Sequence, residues 1–257
     1  MALKNFDFNV IVKDSFSRCG LIKTHRGNIH TPAFMPVGTQ ATVKAVFIND
    51  IIKTGSEIIL SNTYHLMLRP GVDRIISAGG LHKFMNCPLP ILTDSGGFQI
   101  MSLSKFVKID KKKGATFNSH VDGTKFTLSP EESIRIQKDL DSDIIMVLDE
   151  CVGLPINKDD ALLALKRTTR WAKISLDYKN KLNKENKIIN KQLIFAIIQG
   201  ANYKDLRLRS SKELVDMNFD GYAIGGLAVG ESNDIMYRVL DYTIPTLPEN
   251  KPRYLMG

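Results

Sequence analysis

QLIFAIIQGANYKDLRLRSSKELVDMNFDGYAIGG, residues 192–226, decides the fold. Its first part, Leu193 to Ile198, is a continuous apolar run and not an alternation. Such a run suits a strand covered on both faces, as in a parallel sheet. The stretch 203–217 then reads as a helix, and 220–226 returns to a short apolar strand that ends on two glycines. Strand, helix and strand in this order make a parallel crossover unit.

The same rhythm extends outward. TPAFMPV (31–37), SEIILS (56–61), LPILT (89–93), DSDIIMVLD (141–149) and RYLMG (253–257) join the two strands above, giving seven. The prolines in 31–37 make that strand irregular or place it at a rim. Further helices are expected over 129–140, 158–182 and 233–244. The first opens with Ser129 as N-cap, Pro130 at the first helical position and Glu132 three residues after the cap, which forms a capping box. Two segments break the rhythm. An N-terminal hairpin is expected at about 5–30, and a hairpin insert at 106–129 with Asp122-Gly123 as its turn. Repeated βα units point to a doubly wound sheet or a (β/α)8 barrel. Seven strands are one short of a barrel, and no interior linker is evident, so the 257 residues read as a single, incomplete barrel domain.

Bulk properties narrow the partners. The chain is 43% hydrophobic and 24% charged, ordinary for a soluble globular protein. No apolar run is long enough to span a bilayer, and MALKNFDFNVIVKD has no signal-peptide pattern. Cys19, Cys87 and Cys151 form no CxxC pair, so a cytoplasmic setting fits, with neither a disulfide framework nor a zinc knuckle. A net charge of +8 favours a polyanionic partner, although Lys/Asn-rich stretches such as 179–187 also read as plain solvated surface.

Barrel enzymes carry their chemistry at the C-terminal ends of the strands. Here four successive strands end in Asp94-Ser95-Gly96-Gly97, Asp149-Glu150-Cys151, Gln199-Gly200 and Gly225-Gly226-Leu227-Ala228. Each alone is an ordinary turn sequence. Together they describe a pocket for a flat polar heterocycle. Asp149 can accept from the N1 and N2 donors of guanine, while Gln199 and the N–H groups of Gly226 and Leu227 serve its O6. Phe98 or Met256 is the candidate to stack on the ring. Polar groups buried this way reject a base that leaves them unpaired.

Seven segments carry a resemblance: MPVGTQATVKA (35–45), SNTYHLMLRPG (61–71), TDSGGFQIMSL (93–103), LDEC (148–151), IIQGANYKDLRLRS (197–210), GYAIGGLAVGES (221–232) and KPRYLMG (251–257). They are similar to tRNA-guanine transglycosylase, the queuine tRNA-ribosyltransferase family. Cys151 and Ala228-Val229 resemble its bacterial branch. The resemblance implies a (β/α)8 barrel with a late zinc-bearing insertion. It implies exchange of guanine at the tRNA wobble position for 7-aminomethyl-7-deazaguanine by double displacement, on a flipped-out nucleotide. By motif match Asp94 is the proton acceptor and a base-binding acid. Ser95, Gly96, Gly97 and Phe98 line the base, Asp149 reads its Watson–Crick edge, Gln199 its carbonyl edge, and Gly226 and Leu227 supply backbone. Glu231 holds the peptide beside Leu227. The partners implied are tRNA, the two bases and a second copy in a homodimer, with no membrane.

The resemblance puts the nucleophilic aspartate after an eighth strand, beyond YLMG. It puts the zinc ligands, a CxCxxC cluster with a histidine, further on, beyond Gly257. Neither set is in the sequence, so no cofactor is expected on these residues. The chain therefore reads as a C-terminally incomplete transglycosylase, or alternatively as an inactive remnant or base- and tRNA-binding module.

Overall fold

The computed structural model describes residues 7–15, 17–103, 105–185 and 192–256. The opening residues 1–6, which enter the leader reading and the hairpin's start, lie outside the described residues, as do 186–191 and Gly257. In chain order the strands are β1 (Asp7–Asp14), β2 (Ser17–Thr24), β3 (Gly27–Thr31), β4 (Ile59–Asn62), β5 (Ile91–Asp94), β6 (Lys105–Asp110), β7 (Gly114–Asn118), β8 (Lys125–Leu128), β9 (Ile144–Met146), β10 (Leu193–Ile198), β11 (Gly221–Ile224) and β12 (Arg253–Leu255). The helices are α1 (Ile48–Lys53), α2 (Thr63–Leu68), α3 (Val72–Ser77), α4 (Leu81–Met85), α5 (Gly97–Leu103), α6 (Pro130–Asp139), α7 (Lys158–Glu185), α8 (Lys204–Val215) and α9 (Asn233–Thr243). No helix among the described residues is long and apolar enough to cross a membrane.

The chain divides into two compact units, Met1–Ser95 with Ile134–Met146 and Lys181–Leu193, and Gly96–Ser133 with Val147–Asn180 and Ile194–Gly257. In the first, β1, β2 and β3 form an antiparallel sheet. It replaces the expected hairpin, because the tight turn at Gly27 adds a third strand. Strands β4, β5 and β9 run parallel, with Asn62 opposite Asp94 at the C-terminal ends. The expected strand at 31–37 is reduced to one parallel bridge, Val37 to Leu60. Pro32 and Pro36 lack the N–H groups a longer ladder requires. The cores of β4, β5 and β9 are fully buried, as Ile59, Leu92 and Ile145 illustrate. Under them Gln137 of α6 replaces a run of backbone partners. Its Nε2 donates to Met146 O (2.9 Å), and its Oε1 accepts from Met146 N (2.8 Å) and Thr93 Oγ1 (3.1 Å).

In the second unit β10, β11 and β12 run parallel, in register from Phe195–Gly221 to Ile198–Ile224 and from Tyr222–Arg253 to Ile224–Leu255. The insert is a three-stranded antiparallel sheet, β6-β7-β8, and not a two-stranded hairpin. The Asp122-Gly123 turn joins β7 to β8 as expected, and a second turn at Lys111–Lys113 returns β6. The Ser129 cap forms, its Oγ accepting from Glu132 N at 3.0 Å. Helix α7 starts from a cap that the sequence reading did not name, Asn157, whose Oδ1 accepts from Asp160 N at 2.9 Å. Its Ala161 and Leu165 pack on Ala201 and Leu206 at the start of α8, which fixes α8 behind the C-terminal end of β10.

Candidate functional site

The second unit gathers most of the anticipated pocket residues. Gln199 follows β10, Gly225-Gly226 follow β11, and Asp149 follows the buried run Val147-Leu148. Gln199 Nε2 donates to Asp149 Oδ2 at 2.7 Å, and both side chains are buried. Gln199 Oε1 is buried and has no partner among the described residues. A β-carbon at Gly97 would stand 2.2 Å from Asp149 Oδ1, and one at Gly226 2.4 Å from Gln199 Oε1. Glycine at both positions is thus a matter of close approach. Gly226 also holds a φ of +61°, which side chains rarely adopt. A cavity of about 340 Å³, in the range of small-molecule sites, reaches Asp149 and is walled by Gly97, Met101, Cys151, Ile156 and Trp171.

The paired acids of LDEC have different tasks. Glu150 Oε1 accepts from Arg167 Nη2 at 2.7 Å and Oε2 from Arg167 Nε, while the Glu150 N–H donates to Thr168 Oγ1 at 3.0 Å. Its charge is neutralised on the spot, and it raises the Arg167 pKa in turn. Asp149 instead accepts from the Gln199 amide. Beyond β11, Glu231 accepts from the N–H of Val229 at 2.9 Å and from that of Ala228. The N–H groups of Gly226 and Leu227 have no partner among the described residues. The site therefore offers a carboxylate and a carbonyl oxygen as acceptors, and two backbone N–H groups as donors. Phe98 lies on α5 and is 41% exposed, and Met256 follows β12, its N–H donating to Ile224 O at 3.2 Å. Gly96 opens α5, its carbonyl accepting from Ile100 N at 3.0 Å.

Asp94 and Ser95 belong to the first unit. Asp94 is the last residue of β5 and sits in register with Asn62. Its Oδ1 accepts from Ser95 N at 2.9 Å and its Oδ2 from Asn62 Nδ2 at 3.4 Å. Asn62 is itself held by capping α2, its Oδ1 accepting from His65 N at 3.3 Å. Burial pushes the Asp94 carboxyl up to about 6, against the opposing pull of the Ser95 N–H. A carboxyl poised there can both take and return a proton near neutral pH. Ser95 Oγ is buried without a partner among the described residues.

Three residues that position the site escaped the sequence reading. Asn62 could have been found from the SNT that ends β4, since an Asn before a helix is a cap signal. Ser210 accepts the Gln199 N–H at 3.2 Å, and Arg207 binds the carbonyls around it; no local pattern marks either. Among the described residues no group of three or more His, Cys, Asp or Glu side chains could hold a metal.

Comparison with known proteins gives one consistent result. The family model described as queuine tRNA-ribosyltransferase matches residues 14–257. The queuine tRNA-ribosyltransferase of Acetivibrio thermocellus is 55% identical over 245 residues, which cover 95% of this chain and 63% of that protein. That of Rickettsia bellii is 51% identical over 255 residues, covering 99% of this chain and 68% of that protein. The chain thus spans 63% to 68% of the length of these relatives.

Proposed function

The chain belongs to the queuine tRNA-ribosyltransferase family, and we propose that it serves the exchange of guanine for 7-aminomethyl-7-deazaguanine at the wobble position of tRNA. The observation that carries this reading is the Asp149–Gln199 pair, joined at 2.7 Å and fitted against Gly97 and Gly226. Guanine presents two donors, N1–H and the 2-amino group, beside one acceptor, O6. Asp149 takes the donors. The second Nε2 hydrogen of Gln199 and the Gly226 N–H serve O6. Adenine reverses the pattern at N1 and C6, so it would leave Asp149 facing a lone pair.

In the double displacement a carboxylate attacks C1′ of the ribose, and the C1′–N9 bond breaks with its electron pair leaving on guanine. Asp94 returns a proton to that base. The incoming deazaguanine then gives its ring N–H proton to Asp94 and bonds to C1′ as the C1′–carboxylate bond breaks, its electron pair returning to the nucleophile. Ser95, Gly96, Gly97 and Phe98 line the base, and Leu227 supplies backbone beside it. The resemblance places the nucleophile after an eighth strand of a (β/α)8 barrel. A homodimer and a cytoplasmic setting fit the same reading.

Calorimetric titration of the purified chain with guanine, 7-aminomethyl-7-deazaguanine and adenine tests the base site directly. Guanine and the deazaguanine should bind, with adenine weaker by a factor of about ten or more, the equivalent of one unpaired buried group. Equal affinity for adenine, or no affinity for any of the three, would defeat the reading.

A further inference from the structure

Arg207, on α8, is fully buried. Its Nε donates to Ala201 O at 2.7 Å, Nη1 to Ile198 O at 3.0 Å and to Gly225 O at 2.6 Å, and Nη2 to Gly226 O at 2.9 Å. All four acceptors are backbone carbonyls, and no carboxylate pairs with Arg207 among the described residues. Burial draws its pKa down to about 10, so the group is still a cation at neutral pH. A buried charge hydrogen-bonded to no carboxylate, with Glu231 acting on it only at a distance, is an expensive way to hold a helix against two strands. An apolar side chain would do that at less cost.

The identity of the acceptors suggests what the cation does. Ile198 ends β10, and Gly225 and Gly226 follow β11. A trans peptide is planar, so its C=O and N–H point in opposite directions. Binding the Gly225 carbonyl therefore turns the Gly226 N–H away from Arg207, and binding the Gly226 carbonyl does the same for the Leu227 N–H. Both N–H groups are without a partner among the described residues. Ser210, one turn further along α8, holds the Gln199 N–H at 3.2 Å. One helix thus steadies the ends of both strands. A charge-assisted hydrogen bond at a carbonyl also polarises its peptide and strengthens the N–H on the far side.

We infer that Arg207 is a positioning residue that aims and polarises the Gly226 and Leu227 N–H groups at the acceptor edge of the bound base. Its hold tightens as the departing guanine gathers negative charge on O6, in the manner of a preorganised oxyanion site. This rests on the base-site reading above.

The test compares guanine with 6-thioguanine, which keeps the N1–H and 2-amino donors but offers sulfur, a weaker acceptor, in place of O6. Both are titrated into the unsubstituted protein, Arg207→Met and Arg207→Lys. Arg207→Met should lose tenfold or more in guanine affinity and no more than about threefold for 6-thioguanine, because only the strong acceptor depends on the aimed amides. Arg207→Lys should fall between, since lysine keeps the charge but not the planar fork. Equal losses for the two purines, or no loss for either, would reduce Arg207 to a packing element and overturn the inference. Should Arg207→Met not fold, the lysine variant is judged by the same ratio. The unsubstituted protein adds a second readout. Its Gly226 and Leu227 amide ¹⁵N–¹H signals should move further with guanine than with 6-thioguanine, and no movement would overturn the inference. Failure of the unsubstituted protein to bind either purine would instead remove the base-site reading beneath it.

Discussion

Asp94 is a carboxyl caught between two environments. Strand β5 carries it to a half-buried place where ionisation is disfavoured, and among the described residues two neutral donors, the Ser95 N–H and the Asn62 amide, offset that cost. The result is a group that titrates at about 6. The consequence for stability has a definite sign. The folded protein holds this proton more tightly than the unfolded chain, so the contribution is full below pH ~4 and is lost as pH rises through ~6. Asp94→Asn removes the cost of the buried charge. It should therefore stabilise the fold at pH 8 by about 1–3 kcal/mol and be close to neutral at pH 4. Thermal unfolding at the two pH values measures this. An Asn variant equally or less stable at pH 8 would mean that Asp94 is not a buried, unpaired acid. On the role proposed for Asp94, the same variant in a protein competent for exchange should lose the step that moves the base proton.

At the scale of elements, Asp143 shows how side chains fasten the start of a short strand. It precedes β9 and is fully buried. Its Oδ2 accepts from Ile91 N, the first residue of β5, at 2.8 Å and lies 3.0 Å from His82 Nε2 of α4. Its Oδ1 accepts from Arg26 Nη1 at 3.1 Å and lies 3.4 Å from His25 Nδ1, both in the β2–β3 turn. Burial alone would raise this carboxyl, but His82, the Ile91 N–H and Arg26 hold it below the ordinary value. A depressed carboxylate stabilises the fold above pH ~4, and that contribution disappears as pH falls further, through its folded value. Asp143→Asn removes the anion shared by Arg26, His82 and the Ile91 N–H, while Arg26 keeps Asp141, and should cost about 1–3 kcal/mol at pH 7. The gap between variant and wild type should narrow under acid. A gap that stays constant from pH 7 to acid unfolding would show that charge is not what fastens these elements.

Elements of this kind also explain what the sequence disclosed. Strands β4, β5, β10 and β11 announce themselves because burial on both faces demands unbroken apolar runs such as IFAII at 194–198. Helices α1 to α4, of five or six residues each, are too short for a helical period to rise above chance. Strand β6, KFVKID, was merged into a hairpin because its lysines hide its β character and its return turn is a lysine run. At the candidate site, acids and glycines were legible because they stand at the C-terminal ends of apolar runs, where a parallel βα unit turns out of its strand. Asp149 is bonded to Gln199 and lies close to Gly97, and Gln199 lies close to Gly226. Arg207 was not legible, since its meaning lies in four carbonyls on two other segments, and a carbonyl has no letter in a sequence.

For the molecule as a whole, the net charge of +8 is the property that no single residue explains. A neutral base in the proposed pocket would give this excess of positive charge nothing to bind. A tRNA partner would be held through its phosphates, and each phosphate contact releases counterions. Guanine, a neutral molecule, releases none. The two ligands should therefore separate under salt. Affinity of the purified chain for an RNA anticodon stem-loop should fall by tenfold or more between ~50 and ~200 mM salt, as several phosphate contacts require. Guanine affinity should change less than about twofold over that range, because a neutral ligand involves no counterion release. Fluorescence anisotropy on a labelled stem-loop and calorimetry with guanine provide the two curves. A flat RNA curve would assign the positive charge to surface solvation. A guanine curve as steep as that for RNA would mean that the base is read by exposed charge, and not by the enclosed Asp149–Gln199 pair.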